Sequence, residues 1–89
     1  KVYGIGDMYK QSKCILEIIE KALNEAGATM ADVIRTKIYV TDISKWEDVG
    51  KAHGEFFRDV KPASTMVEVS GLVSPEMLVE IEVSAVITD

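Results

Sequence analysis

Three stretches of this chain alternate apolar and polar residues with a period of two, and this pattern restricts the fold more than any other feature of the sequence. They are Asp32-Val33-Ile34-Arg35-Thr36-Lys37-Ile38-Tyr39-Val40-Thr41, Pro62-Ala63-Ser64-Thr65-Met66-Val67-Glu68-Val69 and Leu78-Val79-Glu80-Ile81-Glu82-Val83. Such alternation marks strands with one face on a core and the other toward something polar. In the first strand Ile34, Thr36, Ile38 and Val40 are expected inward and Arg35, Lys37 and Tyr39 outward. In the second, Thr65, Val67 and Val69 are expected inward, with Ser64, Met66 and Glu68 outward. In the third, Val79, Ile81, Val83 and Ala85 oppose Leu78, Glu80, Glu82 and Ser84. Pro62 is admissible because a strand's first residue need not donate to the ladder.

Two helical patterns separate the strands. From about Met8 to Ala26, the residues Ile15, Ile18, Ile19, Ala22, Leu23 and Ala26 recur at spacings of three and four, and Gly27 stands where a C-cap belongs. Ser44 with Glu47 three residues on predicts a capping box that opens a second helix through about Arg58. Its apolar stripe is Trp46, Val49, His53, Phe56 and Phe57. Gly50 and Gly54 each cost up to ~1 kcal/mol in a helix relative to alanine, so close packing on the sheet is the expected reason for them. Lys1–Gly6 reads as a strand end or turn. The element order implies an α+β sandwich, two helices on one face of a small mixed sheet.

A chain of 89 residues suits one domain, which buries about 60–70% of its unfolded surface and needs no metal or disulfide staple. No apolar run approaches the ~18 residues of a membrane span. The net charge of −5, with 10 basic residues dispersed among 15 acidic ones, disfavours nucleic acid and anionic membranes, which are bound through clustered Lys and Arg. Cys14 is the single cysteine, so no internal disulfide forms; with no apolar leader at the start, a cytoplasmic location is expected.

Several apparent motifs carry no chemistry of their own. Gly4-Ile5-Gly6 lacks the third glycine of a dinucleotide fingerprint and the Gly-Lys-Ser/Thr of a P-loop. Cys14 lies near an apolar stripe without a basic neighbour to activate it. His53, the only histidine, shares the second helix's stripe and reads as structural; with no second histidine, no metal site is expected. The outward sheet face (Arg35, Lys37, Tyr39, Glu80 and Glu82 among others) has two readings. Cross-strand ion pairs explain its charges simply. A symmetric oligomer that covers it and leaves polar clefts at the boundaries explains its apolar share as well.

The segments Gly6-Asp7 with Gln11, Glu25-Ala26-Gly27-Ala28, Asp32 through Asp42, Phe56-Phe57, Pro62-Ala63 and Val79-Glu80-Ile81-Glu82-Val83-Ser84-Ala85 resemble the RidA/YjgF family of reactive-intermediate deaminases, also described as endoribonuclease L-PSP-like. The resemblance implies a chorismate mutase-like fold assembled as a homotrimer, sheets inside, with a small-molecule cleft at each subunit boundary. It also implies hydrolysis of imines and enamines without metal or cofactor. In such relatives an arginine directly after Pro-Ala clamps the substrate carboxylate, and the first Glu of Val-Glu-Ile-Glu positions water.

Glu80 matches that glutamate and is the candidate catalytic residue, while Ser64 replaces the arginine. Ser64, Thr65, Met66 and Gly50 are the candidate substrate-binding positions; Gly50 falls where many relatives have asparagine, and Met66 where active ones often have cysteine. Ser64 and Glu80 are expected to face one shared pocket between subunits. A serine hydroxyl offers one neutral donor where a guanidinium offers two charged ones. Losing a bond to a charged group costs about 1.5–3 kcal/mol, roughly ten- to a hundredfold in binding, which sets the usual 2-iminopropanoate deamination against this chain. The alternative is a non-catalytic small-molecule-binding or regulatory trimer. Relatives also begin with a β-hairpin; nothing precedes Lys1 to match it, so residues 1–89 are expected to form a single domain without that hairpin.

Overall fold

The computed structural model describes residues 4–87. Helix α1 spans Met8–Glu25, strand β1 Val33–Val40, helix α2 Trp46–Phe57, strand β2 Ala63–Glu68 and strand β3 Val79–Ala85. Short 3-10 turns, Met30–Asp32 and Ile43–Lys45, lead into β1 and α2. The sheet order is β2-β1-β3, with β1 parallel to β2 and antiparallel to β3. A parallel pair needs a crossover, and α2 supplies it. The core joins Leu16 of α1 to Val49, Ala52 and Phe57 of α2, Ile38 and Val40 of β1, and Val79 and Ile81 of β3. The expected mixed sheet with two helices is what the chain forms.

Local chemistry sets the ends of α1. Of the predicted opening segment, residues 1–3 lie outside the described residues, and Gly4–Gly6 form a turn in which the Asp7 amide donates to the Gly4 carbonyl at 2.8 Å. Gly4 has φ +68°, and a Cβ there would sit 2.8 Å from that of Lys10, so the turn admits glycine alone. The Asp7 carboxylate accepts from the Lys10 amide at 2.9 Å and caps the helix. Gly27 follows the last turn at φ +89°.

The buried stripe of α1 is Met8, Ser12 and Leu16, with Ile15, Ile19 and Leu23 half-buried; Ile18, Ala22 and Ala26, expected inward, are exposed. Counting apolar residues misplaces the stripe because two polar side chains, Gln11 and Ser12, are buried on it. Each is satisfied by hydrogen bonds, Ser12 Oγ donating to the Met8 carbonyl at 2.8 Å.

The start of α2 differs from the expected capping box. Ser44 gives its hydroxyl and its amide to the carboxylate of Asp42, at 2.6 and 3.0 Å, so Asp42 caps the 3-10 turn and α2 continues without a side-chain cap. Those two bonds hold the Asp42 carboxyl below its usual pKa, the side-chain bond most. A capping box does occur, at Thr29 and Asp32. Trp46 is exposed, while Val49, Ala52 and Phe57 form the buried stripe.

Gly50 and Gly54 are not sites of close packing, since a Cβ built on either meets nothing within 4 Å. Gly50→Ala and Gly54→Ala are therefore each expected to stabilise the chain by up to about 1 kcal/mol, read as a rise in the urea midpoint at unchanged slope.

Candidate functional site

The sheet register decides which candidate residues can meet. Parallel partners point to the same side, and β1 pairs with β2 as Thr36↔Ser64, Ile38↔Met66 and Val40↔Glu68. Thr36, Ile38 and Val40 are buried beneath the helices, so Ser64, Met66 and Glu68 face the helices too. Their contacts agree: Ser64 Oγ accepts from Thr36 Oγ1 at 2.8 Å, Met66 packs on the core, and Glu68 accepts from the Ile43 amide at 2.9 Å. Thr65 and Val67 take the open face, Val67 being 41% exposed.

This reverses the orientation expected for the second strand. The helix side of β2 is only partly covered, Met66 being its one residue that is not exposed, so its apolar residues divide between the faces and alternation no longer marks the core. Strand β1 departs in one place, where a bulge between Val33 and Arg35 turns Val33 inward and leaves Ile34 51% exposed. Leu78, just before β3, packs on the core instead of facing outward.

On β3, Val79 and Ile81 are buried, while Glu80 lies opposite Tyr39 and Glu82 opposite Lys37. Glu80 is therefore on the open face and Ser64 on the helix side. The expectation that both face one pocket fails within a single protomer. The candidates divide three ways: Thr65 and Glu80 on the open face, Ser64 and Met66 on the helix side of the edge strand, and Gly50 on the exposed side of α2.

The open face is built in rows, Thr65–Lys37–Glu82 and Val67–Tyr39–Glu80, read across β2, β1 and β3. A depression of about 160 Å³ opens there, lined by Lys37, Ile38, Tyr39, Thr65 and Val67. The Tyr39 hydroxyl donates to Glu82 at 3.1 Å. That bond, followed by desolvation and the charges of Glu82 and Glu80, raises the pKa of Tyr39, so the phenol stays a donor. Glu80 is half-buried beside this row.

On the helix side is a polar cluster that the sequence reading missed. His53 Nε2 lies 2.9 Å from Thr36 Oγ1 and 3.4 Å from Ser64 Oγ, and Ser64 donates to the Pro62 carbonyl at 3.3 Å. The His53 ring packs on Phe57, centroids 4.7 Å apart. Burial pushes the His53 pKa below its usual value, so the imidazole is neutral at pH 7. The signal was present in the sequence: Thr36 and His53 are polar residues on two buried stripes, and buried polar groups seek each other. Among the described residues no group of three or more His, Cys, Asp or Glu side chains is placed to hold a metal. None of the described helices is long and apolar enough to cross a membrane.

Two helices on one face of a mixed sheet whose other face bears acids and an open depression define a two-layer α+β sandwich. The family model described as Endoribonuclease L-PSP matches residues 1–87. The crystal structure of a member of the YjgF/YER057c/UK114 family from Mycobacterium tuberculosis superposes with a TM-score of 0.90 at 51% identity, over 91% of this chain and 69% of that one. A YjgF-family protein from Neisseria meningitidis gives 0.84 at 29% identity, over 91% and 68%. A RutC family protein of Pyrococcus abyssi is 36% identical over 80 residues, 90% of this chain and 62% of that protein. The chain belongs to the RidA/YjgF family. It spans somewhat under two thirds of the length of the curated relatives it matches.

Proposed function

We propose that this chain forms a homotrimer with a small-molecule cleft at each subunit boundary, and that Glu80 orients water there against an imine or enamine. The observation that carries this reading is the open sheet face, where half-buried Glu80 stands near Tyr39 and a depression; Ser64 stands on the opposite face, so one copy does not form a pocket that holds both. A site that uses both ends of the family's motif must draw them from two copies. A trimer with its sheets inward also covers Val67 and the acid-bearing face, which no described element of the chain covers. For general-base work the Glu80 carboxyl has to keep its charge while giving up most of its water, and its half-buried position suits that.

Deamination of 2-iminopropanoate is expected to be slow. Position 64 offers one neutral hydroxyl in place of two charged donors, and that hydroxyl is already engaged by Thr36 and Pro62. The same engagement favours a second reading, a trimer that binds a small molecule without turning it over. RNA cleavage, which the name of the matched family suggests, suits this chain poorly because its net charge is −5.

Ammonia release from freshly generated 2-aminoacrylate separates the readings. The wild type is expected to show a slow rate above background, Glu80→Ala only background, and Ser64→Arg a gain. Equal background rates in all three leave the binding reading in place of the catalytic one. A single species of monomer mass in light scattering at micromolar concentration removes the trimer.

A further inference from the structure

We propose that Lys37, with Thr65 beside it, is the anchor for a carboxylate on the ligand of this protein; the proposal rests on the reading of the sheet face as part of a small-molecule cleft. The register selects Lys37. The cations of the open face stand on β1, where Lys37 pairs with Thr65 on one side and Glu82 on the other, while Arg35 pairs with Ala63 and Ser84. Lys37 and Thr65 both line the depression; Arg35 does not. An ammonium and a hydroxyl on adjacent strands can both donate to one carboxylate group, the first as a charge-assisted bond.

The surroundings fit this role. Glu82, the acid directly across from Lys37, receives the Tyr39 hydroxyl at 3.1 Å, so a neutral donor shares its carboxylate. Glu80 is the diagonal neighbour of Lys37 across β1 and β3, a spacing of about 7–8 Å in an antiparallel pair and somewhat less between Cβ atoms. A carboxylate over Lys37 thus leaves the rest of a three- or four-carbon molecule extending toward Glu80. The depression, about 160 Å³, has room for the carboxylate end of such a molecule. Ser64, on the helix side, does not compete for this end of the ligand.

Propanoate and its neutral analogue propanamide test the assignment by NMR titration of the full chain. Wild type is expected to bind propanoate more tightly. Lys37→Gln should weaken propanoate binding by at least about tenfold while leaving propanamide unchanged within about twofold. Lys37→Arg should retain propanoate binding within about threefold, Arg35→Gln should bind as wild type, and assembly mass should be the same in all. Lys37→Gln binding propanoate as wild type does, or Arg35→Gln losing as much, overturns the proposal. So does weaker binding that accompanies a fall in assembly mass. Wild type that binds propanamide alone refutes the anchor and leaves the cleft standing; wild type that binds neither refutes both.

Discussion

Phe57→Ala is expected to cost about 3–5 kcal/mol, the largest stability loss from any single truncation considered for this chain. Phe57 ends α2 with 2% of its surface exposed, and it joins the cluster that holds α2 to α1 and to β1. Truncation loses the transfer free energy of the ring and leaves a cavity that a close-packed interior only partly refills. Against a total stability of about 5–15 kcal/mol for an ordinary domain, this removes from about a fifth to all of it. The measurement is a urea midpoint at unchanged slope, with half-buried Phe56→Ala expected to cost less. The effect reaches the site as well. Phe57 is a wall for the His53 ring, and burial is what lowers the His53 pKa, so the titration midpoint followed by NMR should move up toward the ordinary histidine value. A loss under about 1 kcal/mol would show that the end of α2 is not anchored through this ring.

Gln11→Leu is expected to have the next largest effect. The side chain is 4% exposed and joins three backbone groups. Its Nε2 donates to the Glu76 carbonyl at 2.8 Å and more weakly to the Gly4 carbonyl at 3.4 Å, and its Oε1 accepts from the Leu78 amide at 2.7 Å. Leucine has similar volume and makes none of these bonds. A buried backbone group left unpaired costs about 1–3 kcal/mol; the two shorter bonds are part-buried and water can replace some of what is lost, so the expected total is about 1–3 kcal/mol. Leu78 immediately precedes β3, and Glu80 follows two residues later, so Gln11 fixes where the acid-bearing strand begins. Hydrogen exchange at the Leu78 amide should accelerate along with the stability loss. A change within about 0.5 kcal/mol would mean that the β2–β3 connection holds its shape without α1.

What the sequence revealed depended on how each segment is covered. Strand β3 and the part of β1 beyond its bulge have one side under the helices, so period-two reading placed Thr36, Ile38, Val40, Val79, Ile81 and Glu80 on the faces they occupy. Strand β2 lacks that cover, and Met66 and Val67 are both partly exposed; alternation there carries little information, and Ser64 lies on the face opposite to the expected one. The bulge at Val33 has no local signal, because Val33 and Ile34 serve equally well inside. At helix ends, Gly27 could be read because it acts within its own turn. The start of α2 could not, since Asp42 and Ser44 are both good caps and geometry alone chooses between them. Of the candidate residues, Glu80 lies on the face expected for it, whereas Thr65, expected inward, lies on that same open face. Of the cluster of Thr36, His53 and Ser64, the first two carry a signal as polar residues on buried stripes, while only the fold brings Ser64 to them.

The central position of β1 has a kinetic consequence. Both of its neighbours come later in the chain: the Thr36–Ser64 hydrogen bond spans 28 residues and the Tyr39–Glu82 bond 43. During synthesis this strand leaves the ribosome with both edges bare, one until β2 has emerged and the other until β3 has. Closing such long loops before any ladder forms slows folding and prolongs the time in which a bare edge can pair with another nascent chain. For this molecule, the order of manufacture is itself a hazard that folding has to outrun.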